Sequence, residues 1–414
     1  MKRPFFAFAV LVSSLTVAAV SPQAQSPRVE PLTSPAGART EAPQLTVSDK
    51  GVLMSWIERG DNNLASLKFA EKTATGWSEV RTVASGTDWF VNWADVPSVL
   101  RLADGSIVGH WLQKSGASTY AYDVRLSRST DNGKTWSPSV TPHHDGTKTE
   151  HGFASMFQVP GAGLGLIWLD GRETTPAGAA GEGHDGHGTG AMTVRFGTFD
   201  GAWKQTSEMP IDTRVCECCP TTAAVTSDGL IAAFRNRTED EIRDIYVSRF
   251  ENGKWTEPRA VHNDNWQIAA CPVNGPMLSA RGRDVVISWF TGVDDPGRAY
   301  VAFSKDAGRT FSAPIRVDEV ATLGRVDVEL MPDGSAMATW IELVEKKAEF
   351  KVRRIQPNGV RGAAIKVADL AASRSSGYPR VTRDGNQLLF AWTEVMAATP
   401  GSRPTTQVRT AVVK

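Results

Sequence analysis

The chain has 414 residues, with 45 basic and 45 acidic side chains. That balance gives no broad electrostatic hold on nucleic acid or an anionic membrane surface, so neither is expected as a partner. Thirteen Trp, 37 Gly and 23 Pro, with scarcely any helical periodicity, point to many short strands joined by tight turns.

The first predicted element is an export signal. Lys2 and Arg3 precede an apolar run from Phe5 to Val20, and small or polar residues follow from Ser21 to Ser26. This order predicts a cleaved secretory signal over 1–24, with 25–414 forming a single domain in the periplasm or outside the cell. No second run reaches the roughly 20 apolar residues of a membrane span, so none is expected.

Beyond the signal a period governs the chain. An aromatic closes a β-rich run at Trp56, Trp111, Trp168, Phe234, Trp289, Trp340 and Trp392, at spacings of 51 to 66 residues. Most of these aromatics follow a strand, a Gly-containing turn and a second strand, as in PSVLRLADGSIVGHW and VDVELMPDGSAMATW. A variable loop and a third strand come next, then in the first six units a fourth, such as WTEPRAV. Each unit therefore predicts a four-stranded antiparallel blade, A to D. Seven such units predict an all-β, seven-bladed β-propeller. The last unit stops after its third strand. Arg28–Thr33, RVEPLT, reads like the missing fourth and is expected to close the ring from the other end, removing exposed sheet edges.

Two C–D turns share a motif. Ser129–Trp136, STDNGKTW, fits S-x-D-x-G-x-T-W at every defined position, and Ser304–Phe311, SKDAGRTF, fits with Phe in the last place. Weaker versions occur at Gly76-Trp77, Asp200–Trp203 and Asn252–Trp255. With these turns in register with the blades, essentially the whole mature chain resembles the Asp-box (BNR) sialidase superfamily. The usual ring of that family has six blades, which stands as the alternative to seven.

In a propeller of this strand order, the B–C loops and D-to-A connections share one face. Most of the chemically unusual residues map there: Asp88, Trp89, Asn92, Trp93 and Asp95; His143, His144, Asp145, Glu150 and His151; and the His184, Asp185 and His187 insertion. Two positions after the repeat aromatics stand Glu58, Gln113, Asp170, Asn236, Thr291, Glu342 and Glu394. Such polar strand ends mark where water begins, or a ring that binds a cation or polyhydroxylated ligand or supplies an acid and a base.

The resemblance implies an exo-α-sialidase type of glycoside hydrolase, or a lectin-like binder, directed at acidic carbohydrate. A uronate lyase is a variant. The family holds a carboxylate with three arginines and uses a Tyr activated by a Glu as nucleophile, with an Asp as acid/base. On this chain the matching substrate-binding candidates are Arg172, Arg235 and Arg237, with Trp89 and Trp93. Tyr378 is the candidate nucleophile, with Tyr120 and Tyr122 as rivals, and Asp170 and Glu394 are the candidate catalytic carboxylates. The Arg-Ile-Pro segment that usually carries the family's first arginine is not found here.

All four cysteines lie in two successive connections, Cys216, Cys218 and Cys219 in RVCECCPTT and Cys271 in AACPV. These segments also resemble a subgroup of exported proteins with the same repeats. Export favours disulfides, a Cys219–Cys271 staple among them. The other reading is a thiolate site for copper or zinc, helped by a histidine such as His151.

Overall fold

The computed structural model describes Met1 and residues 28–161, 163–174, 190–345, 347–396 and 405–413. The expected signal peptide, apart from Met1, and His184, Asp185 and His187 lie outside the described residues.

The chain forms seven antiparallel sheets, each made from consecutive strands except the last. The innermost strands are Thr40–Ser48, Ser98–Arg101, His151–Gln158, Thr222–Thr226, Met277–Arg281, Ala321–Leu330 and Arg380–Asp384. Each packs beside the next, and the last packs against the first, so they surround a common axis. The seven-bladed reading holds and the six-bladed alternative does not. In blade 2 the fourth strand shrinks to one bridge, Leu126 to Val140, and in blade 4 it splits into Lys254–Trp255 and Arg259–Ala260.

The ring closes as its sequence implies. Val29–Leu32 pairs antiparallel with the final strand Thr405–Val413, Val29 opposite Val413 and Leu32 opposite Thr410. Without it the backbone of Thr405–Val413 would form a sheet edge open to other chains.

The core lies between blades. Second strands such as Asp284–Thr291 and Leu164–Asp170 are covered on both faces by neighbours, so they read as nearly continuous apolar runs rather than alternating ones. Each pair of neighbouring blades shares a hydrophobic cluster. At the closing seam, Met54 and Trp56 of blade 1 meet Ala391 and Val408 of blade 7. All seven repeat aromatics are buried.

The two full Asp-box turns have the same wiring. Asp131 accepts from the Ser129 hydroxyl (2.8 Å), the Thr135 N–H (2.9 Å) and the Thr135 hydroxyl (2.7 Å). Asp306 accepts from Ser304 (2.7 Å) and from the Thr310 N–H (2.8 Å) and hydroxyl (2.6 Å). These bonds hold both carboxyls below their usual range. Gly133 and Gly308 sit at φ of 82° and 81°. A Cβ there would also come within 2.6 Å of Phe69 and 2.2 Å of Ile231, so each glycine lets its turn close onto the preceding blade.

Candidate functional site: an axial funnel with a tyrosine–carboxylate floor

D-to-A connections from five places meet at one end of the axis around a cavity of about 270 Å³. Phe90, Asn92 and Trp93 come from the connection into blade 2, Glu150 from the next, Cys218 and Cys271 from the following two, and Arg374 from the connection into blade 7. Ala94 and Phe153 link this funnel to a second cavity of about 150 Å³ between the inner strands, where Asp95 and Arg380 also lie.

At the funnel floor the Tyr122 hydroxyl donates to Glu150 (2.7 Å) and lies 3.0 Å from Asp95. The Phe153 N–H fixes the other Asp95 oxygen at 2.8 Å. Gly152 makes this approach feasible: a Cβ there would stand 2.1 Å from Asp95 and 2.8 Å from the Tyr122 oxygen. Burial pushes the Asp95 carboxyl up to about 7, against the lowering pull of its two hydrogen bonds, with the Glu150 charge adding to the rise. Burial and the same two carboxylates raise the Tyr122 phenol. Phe90 stacks on Tyr122 at 4.1 Å and closes it from solvent.

Alternation along the strands explains a second cluster. Tyr122 and Glu150 turn toward the funnel, so their chain neighbours Asp123 and His151 turn the other way. There His151 Nε2 lies 3.2 Å from Asp145 and 3.7 Å from Asp170. His143 Nδ1 lies 3.4 Å from the same Asp145 oxygen. Despite burial, Asp145 and the charges of Asp170 and Asp123 hold His151 above its usual range, whereas burial keeps His143 below it. The two imidazoles stack at 3.7 Å with planes 3° apart. No single ion lies in both of two parallel ring planes, so the pair as placed is a charge network rather than a chelate. His151 therefore stands in this network and not among the contacts of the cysteines.

The predicted site residues scatter. Asp170 accepts the Trp168 indole (2.8 Å) and a two-pronged Arg172 contact (2.7 Å each), while Arg172 also reaches Glu208. Glu394 pairs across its strand with Arg409 at 2.6 Å. Tyr378 is buried, stacked beneath Trp93, and its hydroxyl donates to the Val273 carbonyl. That placement makes it part of the funnel's support, turned away from the opening.

The expected arginine clamp is likewise not assembled. Arg235 is buried over Trp266 and donates to the carbonyls of Asn274, Arg243 and Phe290. Arg237 pairs with Glu241 (2.6 Å) and Glu217. Trp89 stacks on Trp111 at 5.5 Å, outside the funnel lining, whereas Trp93 is part of that lining. Arg374, exposed at the rim, is the arginine the funnel does present.

The proposed carboxylate ring also resolves into separate structural pairs. Asp170 and Glu342 accept the indoles of Trp168 and Trp340 two residues before them, and Glu58 pairs with Lys68. In blade 5 the equivalent position is Thr291, and Asp264 of the preceding connection accepts the Trp289 indole instead. In blades 3 and 6 the position serves the buried Trp, and in blades 1 and 7 it pairs with a cation.

The cysteines do converge. Cys216 Sγ lies 3.7 Å from Cys218 Sγ and 3.3 Å from Cys219 Sγ, and Cys271 packs against the three. No disulfide joins them, so the expected Cys219–Cys271 staple is not formed in this structure. Arg243 donates to Cys216 (3.2 Å) and the Asn274 N–H to Cys219 (3.4 Å). Burial raises the Cys216 thiol to about 11. Burial opposes ionisation of Cys219 too, but its hydrogen bonds with Cys216 and Cys218, the Arg235 charge and the Asn274 N–H hold that thiol below its usual range.

No protein-family model and no curated protein matches the chain. Solved structures do. The polysaccharide lyase Uly1 is 11% identical with a TM-score of 0.53, covering 89% of each chain. The phage phi92 endosialidase is 10% identical with a TM-score of 0.50, covering 93% of this chain and 68% of its own. NanB sialidase from Streptococcus pneumoniae, as its K499G mutant, is 10% identical with a TM-score of 0.47 over 93% and 94%. At such identities the likeness is one of fold. Among the described residues no helix is long and apolar enough to cross a membrane.

Proposed function

We propose that this chain is an exported, carbohydrate-directed propeller whose axial funnel takes an acidic sugar of sialic acid or uronate type. The observation that carries this reading is the Tyr122 hydroxyl set between Glu150 and Asp95 beneath an aromatic wall. Trp93 offers a ring face for a sugar, Asn92 a polar contact, and Arg374 a charge for the carboxylate. The solved neighbours, a polysaccharide lyase and an endosialidase among them, agree with a sugar-directed fold.

The chemistry follows from the proton positions. Glu150 accepts the Tyr122 proton as the phenol oxygen attacks the anomeric carbon or removes a substrate proton. Asp95, with a carboxyl near neutrality, then protonates the departing oxygen. Ligand entry displaces Phe90 from Tyr122. The Tyr–Glu pairing is the one the sialidase resemblance implies, built here from Tyr122 rather than Tyr378.

Sialosides and uronate oligosaccharides incubated with the full mature chain test this. Binding is followed by calorimetry, hydrolysis by reducing-end release, and lyase chemistry by the unsaturated product. Tyr122→Phe should keep binding within a few-fold and lower turnover at least about 100-fold, the usual worth of a positioned acid–base group. Equal turnover in that variant, or no response to either sugar class, contradicts the proposal.

A further inference from the structure

The sugar reading leaves the cysteines unused. We infer that Cys216, Cys218, Cys219 and Cys271 form a binding centre for one soft d10 ion, zinc or copper(I), in the funnel wall. Its ligands come from two connections that only the fold brings together.

Spacing is the first argument. Zinc–thiolate bonds of about 2.3 Å in a tetrahedron put sulfurs about 3.8 Å apart. The Cys216–Cys218 separation is 3.7 Å and the Cys216–Cys219 separation 3.3 Å, with no bond between any pair. The three sulfurs lie within 4.8 Å of one another, and Cys271 packs against them from the next connection. Adjacent Cys218 and Cys219 would strain a disulfide between them, whereas both can ligate one ion.

Charge is the second. Binding sends the thiol protons to solvent and leaves buried thiolates. Arg243 and the Asn274 N–H already donate to Cys216 and Cys219, so the negative charge has partners before any ion arrives. Arg243 is in turn held by Glu217 and Glu241, which fixes its orientation toward the sulfur.

Access is the third. Cys216, Cys218 and Cys219 are buried, but Cys271 is only half-buried and lines the funnel together with Cys218. An ion arriving through the funnel meets Cys271 first. Soft sulfur donors select zinc or copper(I) over calcium or magnesium.

The test uses the full mature chain isolated without chelator under anaerobic conditions. Native mass spectrometry should show one zinc or copper ion per chain. All four thiols should resist alkylation until a chelator is added. Separate titrations of metal-free protein with zinc and with copper(I) under a competing chromophoric chelator identify which ion is retained more tightly. Cys271→Ser, at the half-buried position, should weaken retention at least 100-fold and leave the melting temperature of the metal-free protein unchanged. Two disulfides in the unreduced protein would overturn the inference. So would alkylation at the same rate with and without both ions, a readout that holds even if the variant folds poorly. Sugar binding is measured separately, so either reading can fail alone.

Discussion

In the Asp-box turns, Asp131 and Asp306 direct their oxygens to partners no more than four residues away in the chain. On the opposite face, Asp95 meets Tyr122 and Phe153, 27 and 58 residues away, and Cys219 meets the Asn274 N–H at a separation of 55. Both faces use carboxylates, hydroxyls and backbone N–H groups. On one the Asp carboxyls close their own turns, although Arg309 also reaches Asp228 and Glu251 of the preceding blade, and the other assembles groups from several blades around an opening. Local closure marks the two Asp-box aspartates, and the convergence of carboxylates and a hydroxyl at an opening marks the end where we place the ligand.

That comparison predicts opposite mutational signatures. The largest effect should come from the closing strand, which serves both faces. Removing 28–33 deletes four registered pairs with Thr410 to Val413. At about 0.5–1.5 kcal/mol for each backbone hydrogen bond lost, chemical denaturation should show a loss of about 2–6 kcal/mol. An unchanged unfolding midpoint would mean the ring holds without its seal.

Asp95 sharpens the contrast through pH. Its folded carboxyl sits near 7, above the unfolded value of 3.8, so the folded state binds the proton more tightly. Its stabilising contribution is complete below the unfolded value and is lost as pH rises through about 7. Between pH 5 and 8, Asp95→Asn should therefore gain about 2–3 kcal/mol of stability relative to the parent, roughly two units at about 1.4 kcal/mol each. Parallel stability curves for the two proteins would show that Asp95 is ionised throughout.

On the turn face, Asp306→Ala removes three hydrogen bonds at a partly exposed site and should cost about 1–2 kcal/mol by thermal unfolding. Ligand binding in the funnel should not change. Arg374→Ala should do the reverse, weakening an acidic ligand about tenfold, which is about 1.4 kcal/mol, with little change in melting. Arg237→Ala, whose guanidinium belongs to Glu241 and Glu217, should alter binding less than twofold. A larger loss for Arg237 than for Arg374 would move the ligand out of the proposed position.

The same division explains what was legible in the sequence. Blade count, the closing strand, the Asp-box turns and the buried aromatics are written in short segments and a period, so the fold follows from them. The convergence of four cysteines was also visible, because two successive connections reach the same face. Which tyrosine meets the carboxylates was not. Tyr378 and Tyr122 both stand beside connections, and only packing shows that one bonds the Val273 carbonyl and the other Glu150. The arginines misled for a similar reason, since no local pattern reveals that Arg235 faces three carbonyls and Arg172 faces Asp170. A usable clue was present in Tyr122-Asp123 and Glu150-His151. Strand alternation separates each pair and directs Tyr122 and Glu150 to one side.

The most direct test is a structure of the chain from residue 28 onward with a bound uronate or sialic acid oligosaccharide. The account places the sugar ring on Trp93, its carboxylate at Arg374 and its reacting carbon over Tyr122, with Phe90 displaced. A sugar seated on the Asp-box face, or one held by Arg172 and Arg237 with Phe90 still stacked on Tyr122, would contradict it.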